Sequence, residues 1–259
     1  MAWLSASSFV NGRAKYDLYS YDPISAPVGV RLQDASEILP RGELFFAAGS
    51  YSAFSNVFRY NLLYSKGGWW VDMDVYNTGL DYPRQEIIYA EEEDGSINCG
   101  QIRFPPQHPI LRYLIEESRK IDKSKLTWGD LGPKLFTKAV GHFDLYNHKV
   151  ARETLYPLHY LEVYKVLFPN FRDEVRQKCA ASPFIHLFGA MYSEYGFIVD
   201  LHRPLAGSFL DALYERNRIY DKFELVDNPF LVDTTNKYLC EGWVRKLGAS
   251  NNVILPLVS

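Results

Sequence analysis

The chain reads as an α/β protein built in layers, and three observations carry that reading. A helical segment starting at Ser50 or Ser52 and running to Lys66 passes through Gly67-Gly68 into an apolar strand, Trp69–Tyr76. Further along, strand-like and helical segments alternate, with Pro109 and Gly132-Pro133 marking helix starts. Hydrophobic residues make up 47% of the 259 positions, enough to bury a sizeable core.

The elements follow in order. Residues 3–11 predict a short helix, and Tyr16–Tyr21 alternates like a strand that stops at Asp22-Pro23. Arg31–Leu39 predicts a short strand and then a helical turn ended by Pro40. Phe54, Val57, Phe58, Leu62 and Leu63 give the next segment helical apolar spacing, and a serine can cap it. Gly67-Gly68 is its natural stop. Strands are expected at Trp69–Tyr76, Glu86–Ala90 and Ile97–Phe104, with an acidic, solvated loop at Glu91–Asp94. Helices are expected from Pro109 to Lys120 and from Gly132-Pro133 to Val140. Pro183–Leu187 reads as a buried strand leading to a helix near Gly189–Tyr195. Helices at Phe209–Arg218 and Thr235–Lys246 precede an apolar tail at Val253–Val258.

Composition narrows the function classes. Net charge is −3, with no basic tail or polybasic block, which argues against general nucleic-acid binding. Cys99, Cys179 and Cys240 show no C-x-x-C spacing and read as reduced thiols of a cytoplasmic protein. No apolar run is long enough for a transmembrane segment, and the N-terminus lacks the pattern of a signal peptide. The expected location is cytoplasmic, with peripheral membrane attachment left open.

Asp72 and Asp74 are the most informative residues. On one strand they would point to the same face, with Val71, Met73 and Val75 on the other. Two buried carboxylates repel and desolvate badly, so they need a counter-charge, and a divalent cation is the simplest one. Mg²⁺ or Mn²⁺ is commonly held this way, shared with substrate phosphates. D-x-D alone is a weak motif; the apolar strand and the preceding glycines strengthen it.

Four other features carry chemistry. Ser52, Ser55, Asn56 and Arg59 share one helix face, which by itself is more often solvated. The short Gly-Gly connection forces this helix close to the acidic strand, where Arg59 could meet a phosphate or a sugar hydroxyl. His186 sits in the apolar run Phe184–Phe188, the usual setting of a satisfied core histidine. Asp130, in Thr127-Trp128-Gly129-Asp130, fits a helix cap by spacing and a carboxylate lining an acceptor site by function. Asn98 is by default a polar loop residue.

Phe54–Tyr60, followed by Gly67-Gly68-Trp69-Trp70-Val71-Asp72-Met73-Asp74-Val75, resembles the DXD-containing sugar-transferase family. That family includes capsular-polysaccharide glycosyltransferases, the initiating α-1,6-mannosyltransferase and lactosylceramide α-1,4-galactosyltransferase, with clostridial glucosylating toxins as distant relatives. Its pattern is a Ser-Asp-x-x-Arg-Tyr helix, Leu-Tyr-x-x-Gly-Gly, and an aliphatic strand bearing Asp-x-Asp. Weaker matches continue through Gly132-Pro133 and Ile185-His186-Leu187. The resemblance implies a GT-A-like nucleotide-sugar-binding fold, a central mixed sheet flanked by helices, as one domain over residues 1–259. It also implies Mn²⁺ or Mg²⁺ as cofactor, a UDP-sugar as the favoured donor, and a carbohydrate or glycolipid acceptor in polysaccharide or glycoconjugate synthesis. By the same analogy Asp74 binds the metal directly. Asp72 contacts ribose or donor sugar and the metal's water shell, Asn56 and Arg59 hold the donor sugar, and Asn98 contacts sugar. His186 is a late metal ligand or diphosphate contact. Two departures stand out: Asn56 replaces the family's helix aspartate, and Met1-Ala2-Trp3-Leu4 begins where the family's opening strand is already past.

The expected reaction is a metal-dependent, retaining transfer of a sugar to an acceptor hydroxyl. Arg59 would stabilise leaving-group charge and Asp130 would orient the acceptor. Front-face attack needs no protein nucleophile, and no Ser-His-Asp or Cys-His set is apparent. A metal-dependent nucleotidyl or phosphoryl transferase and a non-catalytic sugar- or nucleotide-binding protein are the alternatives.

Overall fold

The computed structural model describes residues 1–194 and 201–227, so the helix read at Thr235–Lys246 and the tail at Val253–Val258 lie outside the described residues. The fold is mixed α/β with small mixed sheets. Two compact units share the chain: Ser5–Pro157 with Ala181–His186, and Met1–Leu4 with Leu158–Ala180 and Leu187–Ser259. Helix α1 (Ala2–Asn11) opens the chain.

In the larger unit, β1 (Asp17–Ser20) runs parallel to β2 (Arg31–Asp34). Helix α2 (Ser52–Lys66) leads to β3 (Gly68–Val71) and β4 (Val75–Asn77). Strands β5 (Ile88–Glu91) and β6 (Ile97–Phe104) precede α3 (Pro109–Lys120) and α4 (Leu135–His142). Short elements β7 (Lys149–Val150), α5 (Arg152–Leu155) and β8 (Phe184–His186) complete it. One sheet has the order β3-β6-β5-β7, antiparallel except for the parallel β5–β7 pair, and β4 pairs antiparallel with β8 in a separate sheet. In the other unit are α6 (Arg172–Cys179), α7 (Gly189–Glu194), α8 (Phe209–Arg216) and the parallel pair β9 (His202–Arg203) and β10 (Val226–Asp227).

The expected serine cap is corrected: the N-cap of α2 is Tyr51, which makes no side-chain cap bond, and Ser50 Oγ instead accepts from the Ser52 amide at 3.2 Å from one position earlier. Gly67 ends it at φ +65° with its amide on Leu63 O. Phe54 and Phe58 pack with Ala35 and Leu39, while Tyr60 and Leu63 enter the main core with Ile102, Phe104, Leu111 and Phe136. Each such side chain contributes about 1.5–3 kcal/mol when fully buried. The helix is therefore buried on two apolar faces, and its polar stripe is what remains to face the site. In α3, Pro109 at the start and Arg119 and Lys120 at the end suit the two ends of the helix dipole.

The expected single strand Trp69–Tyr76 is corrected. The backbone leaves β3 after Val71 and turns, with the Val75 amide on Asp72 O at 3.1 Å. It then re-enters as β4 in the other sheet. Asp72 and Asp74 sit on this turn and Met73 at its tip is 55% exposed, so strand alternation does not place them. The physical reason is pairing: β3 continues its ladder only as far as the bond from the Asp72 amide to Gly100 O, 2.8 Å, and Val75 finds its partner in His186.

Candidate metal centre

The site is assembled by strand register. The pairing Val75↔His186 puts His186 beside the residue before Val75, and His186 Nε2 lies 3.0 Å from Asp74 Oδ1. On the other side of the turn, Asp72 Oδ1 accepts from Arg59 Nη2 at 2.7 Å and from Trp70 Nε1 at 2.6 Å. The Arg59 guanidinium also lies 4.8 Å from the centre of the Trp70 ring. Asp72, Asp74 and His186 each offer one ligand atom, all within 4.8 Å of one another.

The expected helix face is partly buried. Asn56 is 7% and Arg59 3% exposed, and Arg59 Nη1 donates to Asn56 Oδ1 at 2.8 Å. Asn56 Nδ2 donates to Ser52 O at 3.0 Å, so both ends of this amide are engaged within the helix. Among the described residues Arg59 Nε has no hydrogen-bond partner. Burial pulls the Arg59 guanidinium down, but the Asp72 carboxylate beside it, with smaller help from Cys99, Tyr60 and Tyr156, leaves it raised and firmly charged. The same balance holds at His186: burial pulls it down, and the charge and hydrogen bond of Asp74, aided by Asp72, leave it above its ordinary value.

Gly100 is the residue that composition and motif did not single out. The three residues 88–90 of β5 span the same stretch as the six residues 98–103 of β6, so the register shifts and β6 bulges there. A Cβ at Gly100 would lie 2.9 Å from His186 Cε1 and 3.1 Å from both Asp72 Oδ2 and Asn98 Oδ1. The glycine thus keeps open a space walled by two of the three ligand candidates. Asn98 borders this space, held by a bond to Glu92 Oε1 and by the Gly100 amide donating to its Oδ1, each 2.8 Å. Glu92 is therefore not a solvated loop residue, whereas Glu93 and Asp94 are exposed. Tyr156 closes another wall: its ring lies 5.6 Å from that of His186, and its hydroxyl accepts from the Gln101 amide at 2.9 Å. Burial, with the charge of Asp72, holds the Tyr156 phenol well above its ordinary range and so protonated.

Asp130 stands apart from the ligand-distance group. Its Oδ2 accepts from the Thr127 amide at 2.7 Å and from Thr127 Oγ1 at 2.8 Å, and its Oδ1 accepts from Lys134 Nζ at 2.8 Å. These bonds hold its carboxyl well down, at about 2. Asp130 belongs to a wide turn, Asp130–Lys134, that precedes α4.

The donor set fits a hard or borderline divalent cation: two carboxylates and an imidazole beside a glycine-lined space. The acidic pair is not bare, however, because Arg59 and His186 already serve as counter-charges. Sequence reasoning missed Gly100, Trp70 and Tyr156. Trp70 alone had a usable signal, since it precedes Asp72 by two positions at the end of a strand. No protein-family model matches the chain, and no curated protein matches it. Among the described residues, no helix is long and apolar enough to cross a membrane.

Proposed function

We propose that the chain is a metal-dependent glycosyltransferase of GT-A type. It would take a nucleoside-diphosphate sugar as donor, UDP-linked in the favoured case, and pass the sugar to an acceptor hydroxyl with retention. The supporting observation is the convergence of Asp72, Asp74 and His186 within 4.8 Å beside the space kept by Gly100. When bound, Mn²⁺ or Mg²⁺ would neutralise charge on the departing diphosphate. Asp72, Asp74 and His186 would hold it, the imidazole in its neutral form. Arg59 orients Asp72 with one guanidinium nitrogen while the other holds Asn56, and Trp70 fixes the same Asp72 oxygen. Tyr156 shields His186 from water on one side. An acceptor hydroxyl needs no protein nucleophile in front-face attack, so positioning carries most of the catalytic demand.

A second reading has its own observation. The pairs Arg59–Asp72 and His186–Asp74 neutralise the acidic turn from within. That arrangement suits a non-catalytic sugar- or nucleotide-binding protein.

Thermal unfolding with UDP, GDP and CMP, each with and without Mn²⁺, separates these readings. A ligand that binds only the native state raises Tm with its occupancy. The transferase reading expects a Mn²⁺-dependent rise with one nucleoside diphosphate, lost in Asp74→Asn while the unliganded Tm is nearly kept. Turnover that releases nucleoside diphosphate from a nucleotide sugar completes it. Binding without turnover favours the second reading, and no shift with any nucleotide removes the first.

A further inference from the structure

Glu92 follows the last residue of β5, and its side chain is only 12% exposed. A carboxylate so far out of water needs partners. One is Arg152, whose Nη1 lies 4.0 Å from Glu92 Oε2 and donates to Tyr156 O at 3.0 Å. The other is Asn98, whose Nδ2 donates to Glu92 Oε1 at 2.8 Å. The β5–β6 hairpin does not need that second bond to close. The Glu92 amide donates to Ser96 O at 2.8 Å and the Gly95 amide to Glu92 O at 3.0 Å, while Asp94 Oδ1 takes the Ser96 amide and hydroxyl. The Glu92 side chain therefore serves something other than the turn.

What it serves follows from the bonds. An asparagine amide has a donor end and an acceptor end of nearly the same shape, and a carboxylate can only accept. With Glu92 Oε1 on Nδ2, the Asn98 oxygen is the end that meets Gly100, whose amide donates to it at 2.8 Å. A reversed amide would set one N–H against another. The Gly100 carbonyl in turn accepts from the Asp72 amide at 2.8 Å, where the β3–β6 ladder gives way to the acidic turn. An unbroken line of bonds thus runs from Glu92 through Asn98 and Gly100 to Asp72, each 2.8 Å long. Glu92 reaches the site through this line more than through its charge. Burial pulls His186 down, and among the carboxylates that raise it Glu92 ranks behind Asp74 and Asp72.

We infer that Glu92 is a positioning residue of the metal centre: through Asn98 it sets the Gly100 peptide, and so the backbone of Asp72. The inference rests on the metal-dependent reading for what Asp72 holds, but not for how Asp72 is held.

The test reads both ends of the line in the full chain. Cys99-Gly100 is the one Cys-Gly pair in the sequence, so carbonyl-labelled cysteine (carbon-13) with nitrogen-15 glycine leaves the Gly100 amide as a single carbonyl-edited signal. The Trp70 indole N–H donates to Asp72 Oδ1 and so reports Asp72; Trp70→Phe assigns it. Mn²⁺ affinity, from the paramagnetic resonance of the free ion, reports the centre without turnover. Glu92→Leu should move the Gly100 amide proton upfield, shift the Trp70 indole and weaken Mn²⁺ binding about tenfold. Glu92→Gln keeps an acceptor for Asn98, so it should keep both signals and hold Mn²⁺ affinity within about threefold, the size of a weak charge interaction. Asn98→Ala should match Glu92→Leu, and the double variant should lose no more Mn²⁺ affinity than Asn98→Ala alone, because both cut one line. Should the buried leucine prevent folding, Glu92→Ala takes its place in each comparison. Gly100 and Trp70 signals unmoved in Glu92→Leu overturn the inference. Moved signals with wild-type Mn²⁺ affinity also overturn it and leave Glu92 a hairpin contact; an additive double variant overturns it and leaves Glu92 a distant charge. A wild-type chain that binds no Mn²⁺ removes the metal reading instead, and the two signals still decide whether Glu92 positions Asp72.

Discussion

Two aspartate-bearing turns in the larger unit use the same side chain in opposite ways. At the acidic turn, Asp72 and Asp74 take partners from far along the chain, Arg59 on α2 and His186 on β8. At the Thr127–Lys134 turn, Asp130 takes partners three residues back and four residues on, Thr127 and Lys134. The first turn exists only once the sheets have formed, and its charges are partly withdrawn from water. The second draws the partners of its carboxylate from its own turn. The comparison teaches that a carboxylate's role follows from where its partners come from. Distant partners make a site whose chemistry depends on the fold, and local partners make a rigid support.

That contrast can be broken most forcefully at Arg59. Arg59→Met leaves Asp72 without its counter-charge, and urea unfolding should show a loss of roughly 2–3 kcal/mol, tempered because Asp72 is about a third exposed. A loss under about 0.5 kcal/mol, the value of a surface pair, would put the two turns in the same class. Gly100→Ala comes next. The added methyl has no room beside His186 and Asp72, so overpacking should cost about 1–2 kcal/mol and abolish any Mn²⁺-dependent rise in Tm. A variant with wild-type metal response would remove Gly100 from the site. Lys134→Met should change global stability by no more than about 0.5 kcal/mol, since its pair with Asp130 is largely solvated. A larger effect would show that the second turn is coupled to the core.

The smallest effect is the pH response of the Asp130 turn. Its carboxyl is lowered from 3.8 to about 2 by Lys134 first and then by Thr127. A lowered carboxylate stabilises fully above its unfolded value and loses that contribution as pH falls through its folded value. In the chain labelled with 5-fluorotryptophan, the Trp128 fluorine signal should therefore hold steady from neutral pH to about 4 and shift only toward pH 2. A midpoint near 4 would mean that the clasp does not form in solution.

Much of the fold was legible where local chemistry decides it. Pro109 at the helix start and the basic last turn set the limits of α3, and the segment Ile97–Phe104, read as a strand, is β6. The acidic turn was not legible as a turn. Val-Asp-Met-Asp-Val carries no Gly, Pro or Asn, and its alternation continues smoothly from β3 into β4, so period-2 reading extended one strand through both. The two aspartates do converge, but through a backbone reversal rather than a shared strand face. His186 was legible only by resemblance, because its approach to Asp74 is fixed by β4–β8 register, which no local pattern encodes. Gly100 depends on a bulge between paired strands and left no mark in the sequence. Asn56 and Arg59 were visible as a helix stripe, and their burial came from α2 having apolar contacts on two other faces.

The distance along the chain between Asp74 and His186 has a mechanical meaning. They are 112 residues apart in sequence, so any cation held by both would close a very long loop. Loop-closure entropy grows with length, and a covalent link of that span would restrain the unfolded chain by about 4–5 kcal/mol in the chain-entropy model. A cation at this place would act as a detachable rivet: chelation would loosen the β4–β8 join and make the segments leading to it easier for a protease to cut.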